Sequence, residues 1–101
     1  MEYNKLVRDK IPEIIKRDNK EPVIHLAEDK EYSEKLIEKL KEEVNEFAES
    51  LDEKEFVDIL EVMEAISKFE DFDVKELDKL KKDKSEKRGK FDKKIILDRI
   101  D

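Results

Sequence analysis

Within residues 39–61 two pairs of acids stand at the same three-residue offset, Glu43 with Glu46 and Glu55 with Asp58. On a helix, residues i and i+3 are neighbours, roughly 5–6 Å apart at Cβ, so both carboxylates of a pair can reach one point. Between the pairs lies Ser50-Leu51-Asp52-Glu53, the one plausible break in an otherwise helical pattern. Two helices folded back across that break bring four carboxylates together. Four converging acids repel one another unless a hard divalent cation sits among them. Mg²⁺ suits such oxygen ligands, usually keeps several waters and bridges substrate phosphates. One or two such ions can neutralise phosphate oxygens and orient a water for attack.

Phosphates meeting such a site would also need cations from the chain. Lys39 stands four residues before Glu43; Lys5 and Arg8 lie in NKLVRDK, and Lys84 and Arg88 near the basic end. These five are the candidate substrate-binding residues, and arginine's planar fork suits phosphate best. For each, the competing reading is an ordinary surface charge. Asn4 and Asp9 are weaker candidates for base or sugar contact. His25, the single histidine, sits in a short apolar run and is read as a strand or surface residue rather than a catalytic one. Tyr3 and Phe91 are aromatics that a base could stack on, with core packing the preferred reading. No glycine-rich phosphate loop exists, which excludes P-loop and Rossmann chemistry.

The elements that must position these groups follow from apolar spacing. Tyr32, Leu36, Leu40, Val44, Phe47 and Leu51 recur at steps of four and three, predicting a long helix from about Asp29–Glu31 to Ser50. Glu43 falls at the edge of that stripe, and Glu42 and Asn45 point away into water. Phe56, Ile59, Leu60, Val62, Met63, Ile66 and Phe69 predict a second helix from about Glu53 to Phe69. Its apolar arc covers nearly half the circumference and includes Glu55, with Asp58 at the edge. An acid among core-facing residues is costly unless something pairs with it. Asp73 suits the N-cap of a third helix, from Val74 to about Lys87, with Gly89 at its C-terminal end. Pro12 suits the first turn of a short helix ending near Arg17, before a turn at Asp18–Pro22. Val23–Leu26 and Ile95–Leu97 are β-prone and able to pair as two short strands.

The chain has 101 residues, 52% of them charged and 37% hydrophobic, and no cysteine. This composition predicts a mainly α, single-domain protein spanning 1–101, without disulfide, thiolate-metal or thiol chemistry. Neither a membrane span nor a signal peptide is expected, so the expected location is the cytoplasm. The net charge of −7 divides into +1 over residues 1–22, −13 over 23–78 and +5 over 79–101. An acidic middle beside a basic tail suits a place where cations and phosphates meet, and does not suit a duplex nucleic-acid binder. Two broad apolar arcs exceed what one thin third helix can cover, so a bundle completed by a second subunit, a homodimer or higher oligomer, is expected.

YNKLVRDKIPEII, EYSEKLIEKLKEEVNEF, EFVDILEV and the late K-x-x-x-R-G-x-F, in this order, resemble a small group within the MazG-like, all-α nucleotide pyrophosphohydrolase superfamily. Its members are often described as phosphoribosyl-ATP pyrophosphohydrolase-like. The resemblance covers essentially the whole chain. It implies a helical fold, dependence on Mg²⁺ (or Mn²⁺), and hydrolysis of a nucleoside triphosphate to the monophosphate and pyrophosphate. It places metal ligation and catalysis on Glu43, Glu46, Glu55 and Asp58, and implies oligomers with the site near a subunit interface. Two positions depart from the pattern: Lys90 stands where R-G-G-F is usual, and Glu70-Asp71-Phe72 replaces a loop that often carries glycine. Two readings compete with this one. One is the histidine-pathway hydrolase acting on phosphoribosyl-ATP; the other is a non-enzymatic helical interaction protein whose acids are solvated flanks.

Overall fold

A computed structural model describes residues 3–101. It contains four helices: α1 (Ile11–Arg17), α2 (Asp29–Ser50), α3 (Glu53–Phe69) and α4 (Val74–Arg88). The chain divides into two compact units, one ending at Glu70 and the other comprising Asp71–Asp101.

In the first unit α2 and α3 pack along one another as an antiparallel hairpin. Two edge-to-face aromatic pairs set its register. Phe47 and Phe56 meet at the turn end with ring centroids 5.4 Å apart, and Tyr32 meets Phe69 at the open end at 5.1 Å. Such pairs add about 0.5–1.5 kcal/mol beyond the area they bury. The turn is tight because both helix ends are capped within it. Leu51 takes the left-handed conformation (φ 54) and donates its N–H to Phe47 O at 2.7 Å. Asp52 then starts α3, its carboxylate accepting the Lys54 N–H at 2.9 Å.

The interface between these helices is narrow. Leu36 is the one hydrophobic side chain buried among the described residues, while Tyr32, Leu40, Phe47, Ile59, Val62, Ile66 and Phe69 are half-buried. Phe56, Leu60 and Met63, at helical spacing on α3, each keep nearly half their surface in solvent. The expected apolar arc therefore divides, one side against α2 and the other open.

Ahead of the hairpin, α1 begins with Pro12 in its first turn. It ends in a Schellman closure, with Asn19 N–H donating to Lys16 O and Lys20 N–H to Ile15 O; Asn19 supplies the left-handed residue (φ 59). In the second unit, Asp73 caps α4 through the Lys75 N–H at 2.9 Å, and Gly89 (φ 79) closes it. Asp71, in the loop where the resembled pattern often carries glycine, has a positive φ of 58.

The expected strand pair is absent among the described residues: Val23–Leu26 and Ile95–Leu97 are irregular. Side chains in both runs are largely in solvent, Val23 at 96% and Ile96 at 80%. β-prone residues hold a strand only where a neighbouring backbone completes the hydrogen-bond ladder. Tyr3 and Phe91, expected in the core, are exposed; Lys5 Nζ lies 5.9 Å from the Tyr3 ring centroid. No helix among the described residues is long and apolar enough to cross a membrane.

Candidate metal centre

The register set by the aromatic pairs brings Glu43 of α2 opposite Asp58 of α3, and Glu46 opposite Glu55. Glu43, Glu55 and Asp58 each offer a carboxylate oxygen within 4.8 Å of the other two. Three of the four acids expected to converge are therefore brought together; Glu46 is not among them. Glu46 is exposed and lies near enough to Glu55 to help raise its carboxyl.

Glu43 is the deepest of the four, 6% exposed. Lys39, one turn earlier on α2, brings its Nζ to 3.3 Å from Glu43 Oε1. The other oxygen, Oε2, is buried with no hydrogen-bond partner. An orphaned buried acceptor costs about 1–3 kcal/mol, so one position in this centre lacks a positive partner. Burial raises the Glu43 carboxyl above its ordinary range; Lys39 counteracts this, while Glu46 and Asp58 add to it. Glu55 is raised too, first by desolvation, then by Glu46, Asp58 and Glu43. Each acid thus makes its neighbour harder to ionise, as expected of carboxylates gathered without a cation.

The donor set is oxygen only, which fits a hard divalent ion and excludes a thiolate or imidazole site. Glu43, Glu55 and Asp58 could hold such an ion.

The candidate cations are distributed as follows. Lys39 touches Glu43 and lies 3.8 Å from Glu42, and Lys5 reaches Glu42 at 3.8 Å. Glu42, expected to point into water, is half-buried between these two lysines. Arg8 reaches α3, donating to Asp58 Oδ1 at 2.7 Å and through both Nη atoms to Glu61 at 2.8 and 2.9 Å. Lys84 and Arg88 lie exposed on α4 in the second unit and make no ion pair among the described residues. His25 Nε2 pairs with Glu31 Oε1 at 2.8 Å, in an exposed position.

Sequence reasoning missed Glu61. The signal was available, since Glu55, Asp58 and Glu61 form one continuous i, i+3 row on α3. Arg8 holds the Glu61 carboxyl below its ordinary range, and Glu61, more than Asp58, holds the Arg8 guanidinium firmly charged.

No family model matches the chain, and neither curated proteins nor solved structures give a significant match.

Proposed function

We propose that the chain is a Mg²⁺-dependent nucleoside triphosphate pyrophosphohydrolase, acting on standard or non-standard triphosphates in nucleotide-pool house-cleaning. The observation that carries this reading is the buried Glu43, one oxygen of which has no partner, grouped with Glu55 and Asp58 across the hairpin. A buried carboxylate oxygen without a donor calls for a partner, and a bound cation would supply one.

Glu43, Glu55 and Asp58 would hold the ion. When bound, a divalent cation supplies neutralisation of the triphosphate and lowers the pKa of a coordinated water. The water oxygen bonds to the α-phosphorus, the bond to the α,β-bridging oxygen breaks, and pyrophosphate departs with the released electron pair. Glu46, exposed beside Glu55, is placed to accept the proton that water gives up. Lys39 fixes the Glu43 carboxylate, and Arg8 supplies a guanidinium at the rim. Lys5 remains a candidate for the outer phosphates.

The functional unit in this reading is a homodimer or higher oligomer. Phe56, Leu60 and Met63 form an open apolar row on α3 that a second copy would cover, completing a bundle. The narrower reading, hydrolysis of phosphoribosyl-ATP, uses the same centre on a different nucleotide.

The test is a pyrophosphate-release screen over standard, deoxy-, oxidised and deaminated triphosphates and phosphoribosyl-ATP, with Mg²⁺ and with chelator. Mg²⁺-dependent release from one class is the expected result and names the substrate. Absence of release from all of them, together with no Mg²⁺ binding by calorimetry, would return the chain to the interaction-protein reading.

A further inference from the structure

Arg8 approaches the acids from outside the helix pair. Its carbonyl accepts the Ile11 N–H at 3.1 Å, which seats its backbone at the start of α1. The guanidinium forks onto both oxygens of Glu61, at 2.8 and 2.9 Å, and Nη2 also donates to Asp58 Oδ1 at 2.7 Å. Asp58 is at the same time one of the three acids that converge within 4.8 Å. One peptide cation is therefore already paired with a residue of the prospective metal site, and a divalent ion would meet its charge there. The Glu61 fork does not depend on that contact. The Arg8 side chain is 58% exposed, so it can shift without disturbing packing.

We propose that Arg8 is a built-in counter-cation of the acid cluster, displaced from Asp58 by the divalent ion while Glu61 keeps its guanidinium at the rim to receive substrate phosphate. This rests on reading the acids as a divalent-metal site. Without an ion, the clustered carboxylates repel one another, and Arg8 and Lys39 relieve that repulsion. With two positive charges among the acids, the Arg8–Asp58 contact becomes redundant. A guanidinium has five N–H donors; three are engaged here, and release from Asp58 leaves three free to meet phosphate oxygens. Glu61 acts as a positioning residue, since it retains the arginine once Asp58 is taken. Metal loading and phosphate capture are thereby coupled through one side chain, the cation of the resting site becoming the anion receptor of the loaded one.

The experiment is calorimetric titration with MgCl₂ and MnCl₂ of the wild type, Arg8→Ala, Arg8→Lys and Lys5→Ala, then with pyrophosphate at saturating Mg²⁺. Removing the competitor in Arg8→Ala should tighten Mg²⁺ binding roughly three- to ten-fold and weaken pyrophosphate binding by a similar factor. Arg8→Lys, which keeps the charge but not the fork, should fall between. Lys5→Ala removes an equal charge that pairs with Glu42 instead, and should leave Mg²⁺ affinity within about two-fold of the wild type. Unchanged or weaker Mg²⁺ binding in Arg8→Ala would overturn the proposal and leave the metal site standing, as would an equal gain in Lys5→Ala. Should Arg8→Ala not fold, as judged by circular dichroism, the ¹⁵N resonances of the wild-type Arg8 guanidinium decide: they move on Mg²⁺ addition, and their indifference would overturn it. A wild type that binds neither metal would remove the site and the proposal together.

Discussion

Lys39 Nζ lies 3.3 Å from Glu43 Oε1, one helical turn away, while Oε2 of the same carboxylate is buried without a partner. One oxygen of this acid is met by its own helix and the other by no donor, while the residue is grouped with Glu55 and Asp58 of α3. Glu43 therefore stands in the hairpin at a cost to the metal-free protein, since burial raises its carboxyl above the ordinary range. Glu43→Leu is expected to stabilise the metal-free protein by about 1–2 kcal/mol. The same change should abolish stabilisation by Mg²⁺. Urea unfolding with and without the ion measures both, and a loss of metal-free stability would contradict the cost assigned to Glu43.

Asp58 serves two contacts at once, the acid cluster and Arg8. Asp58→Asn and Glu43→Gln should each abolish Mg²⁺-dependent pyrophosphate release while leaving the helical circular dichroism signal unchanged. Retained turnover in both variants would remove the four acids from the chemistry.

Acidification should weaken Mg²⁺ binding sooner than it does at ordinary carboxylates, because metal ligands must be deprotonated and both Glu43 and Glu55 are raised from 4.5. The sign for folding follows from the same shift. The folded state holds these protons more tightly than the unfolded chain, so their favourable contribution is present below 4.5 and is lost as pH rises through the raised values. Glu61, lowered by Arg8, acts oppositely, its contribution being lost as pH falls through its depressed value. Metal-free stability should thus fall from pH 4.5 towards neutrality, and saturating Mg²⁺ should remove that fall. Urea midpoints across this range, with and without the ion, provide the comparison.

Leu36 and Leu60 separate the two sides of the hairpin. Leu36, 2% exposed, should cost about 2–4 kcal/mol when replaced by Ala. Leu60, 48% exposed within the Phe56–Leu60–Met63 row, should instead affect assembly. If a second copy covers this row as proposed, Leu60→Glu shifts sedimentation from oligomer to monomer; a wild type that already sediments as a monomer would remove the proposed interface.

Leu51 pays for the tight turn with a left-handed backbone (φ 54) that a leucine resists, and its side chain is 73% exposed. Leu51→Asn should raise the unfolding free energy by up to about 1 kcal/mol. Lower stability, read by thermal unfolding, would indicate that this leucine is covered in the assembled protein.

Local interactions carried most of what was legible in advance. The limits of α3, the Asp73 cap, the Gly89 terminus and the position of the turn follow from apolar period and capping chemistry, which act within a few residues. The convergence of Glu43, Glu55 and Asp58 was legible for a related reason: a short break between two helices dictates an antiparallel hairpin, and the i, i+3 offset keeps each pair on one face. Val23–Leu26 and Ile95–Leu97 misled because strand formation depends on a partner, which composition does not supply. Contacts between segments distant along the chain belong to the tertiary structure alone. Arg8 meets Asp58 and Glu61 from 50 and 53 residues away. Spacing marks such an arginine as a phosphate ligand or a surface charge without naming the carboxylates it meets. The breadth of the α3 arc could be read from periodicity, but which part of it meets α2 and which stays open depends on how the helices are rotated against each other. That rotation leaves Leu36 as the one buried hydrophobic side chain among the described residues, turns Leu60 and Met63 outward, and buries one oxygen of Glu43 without a partner.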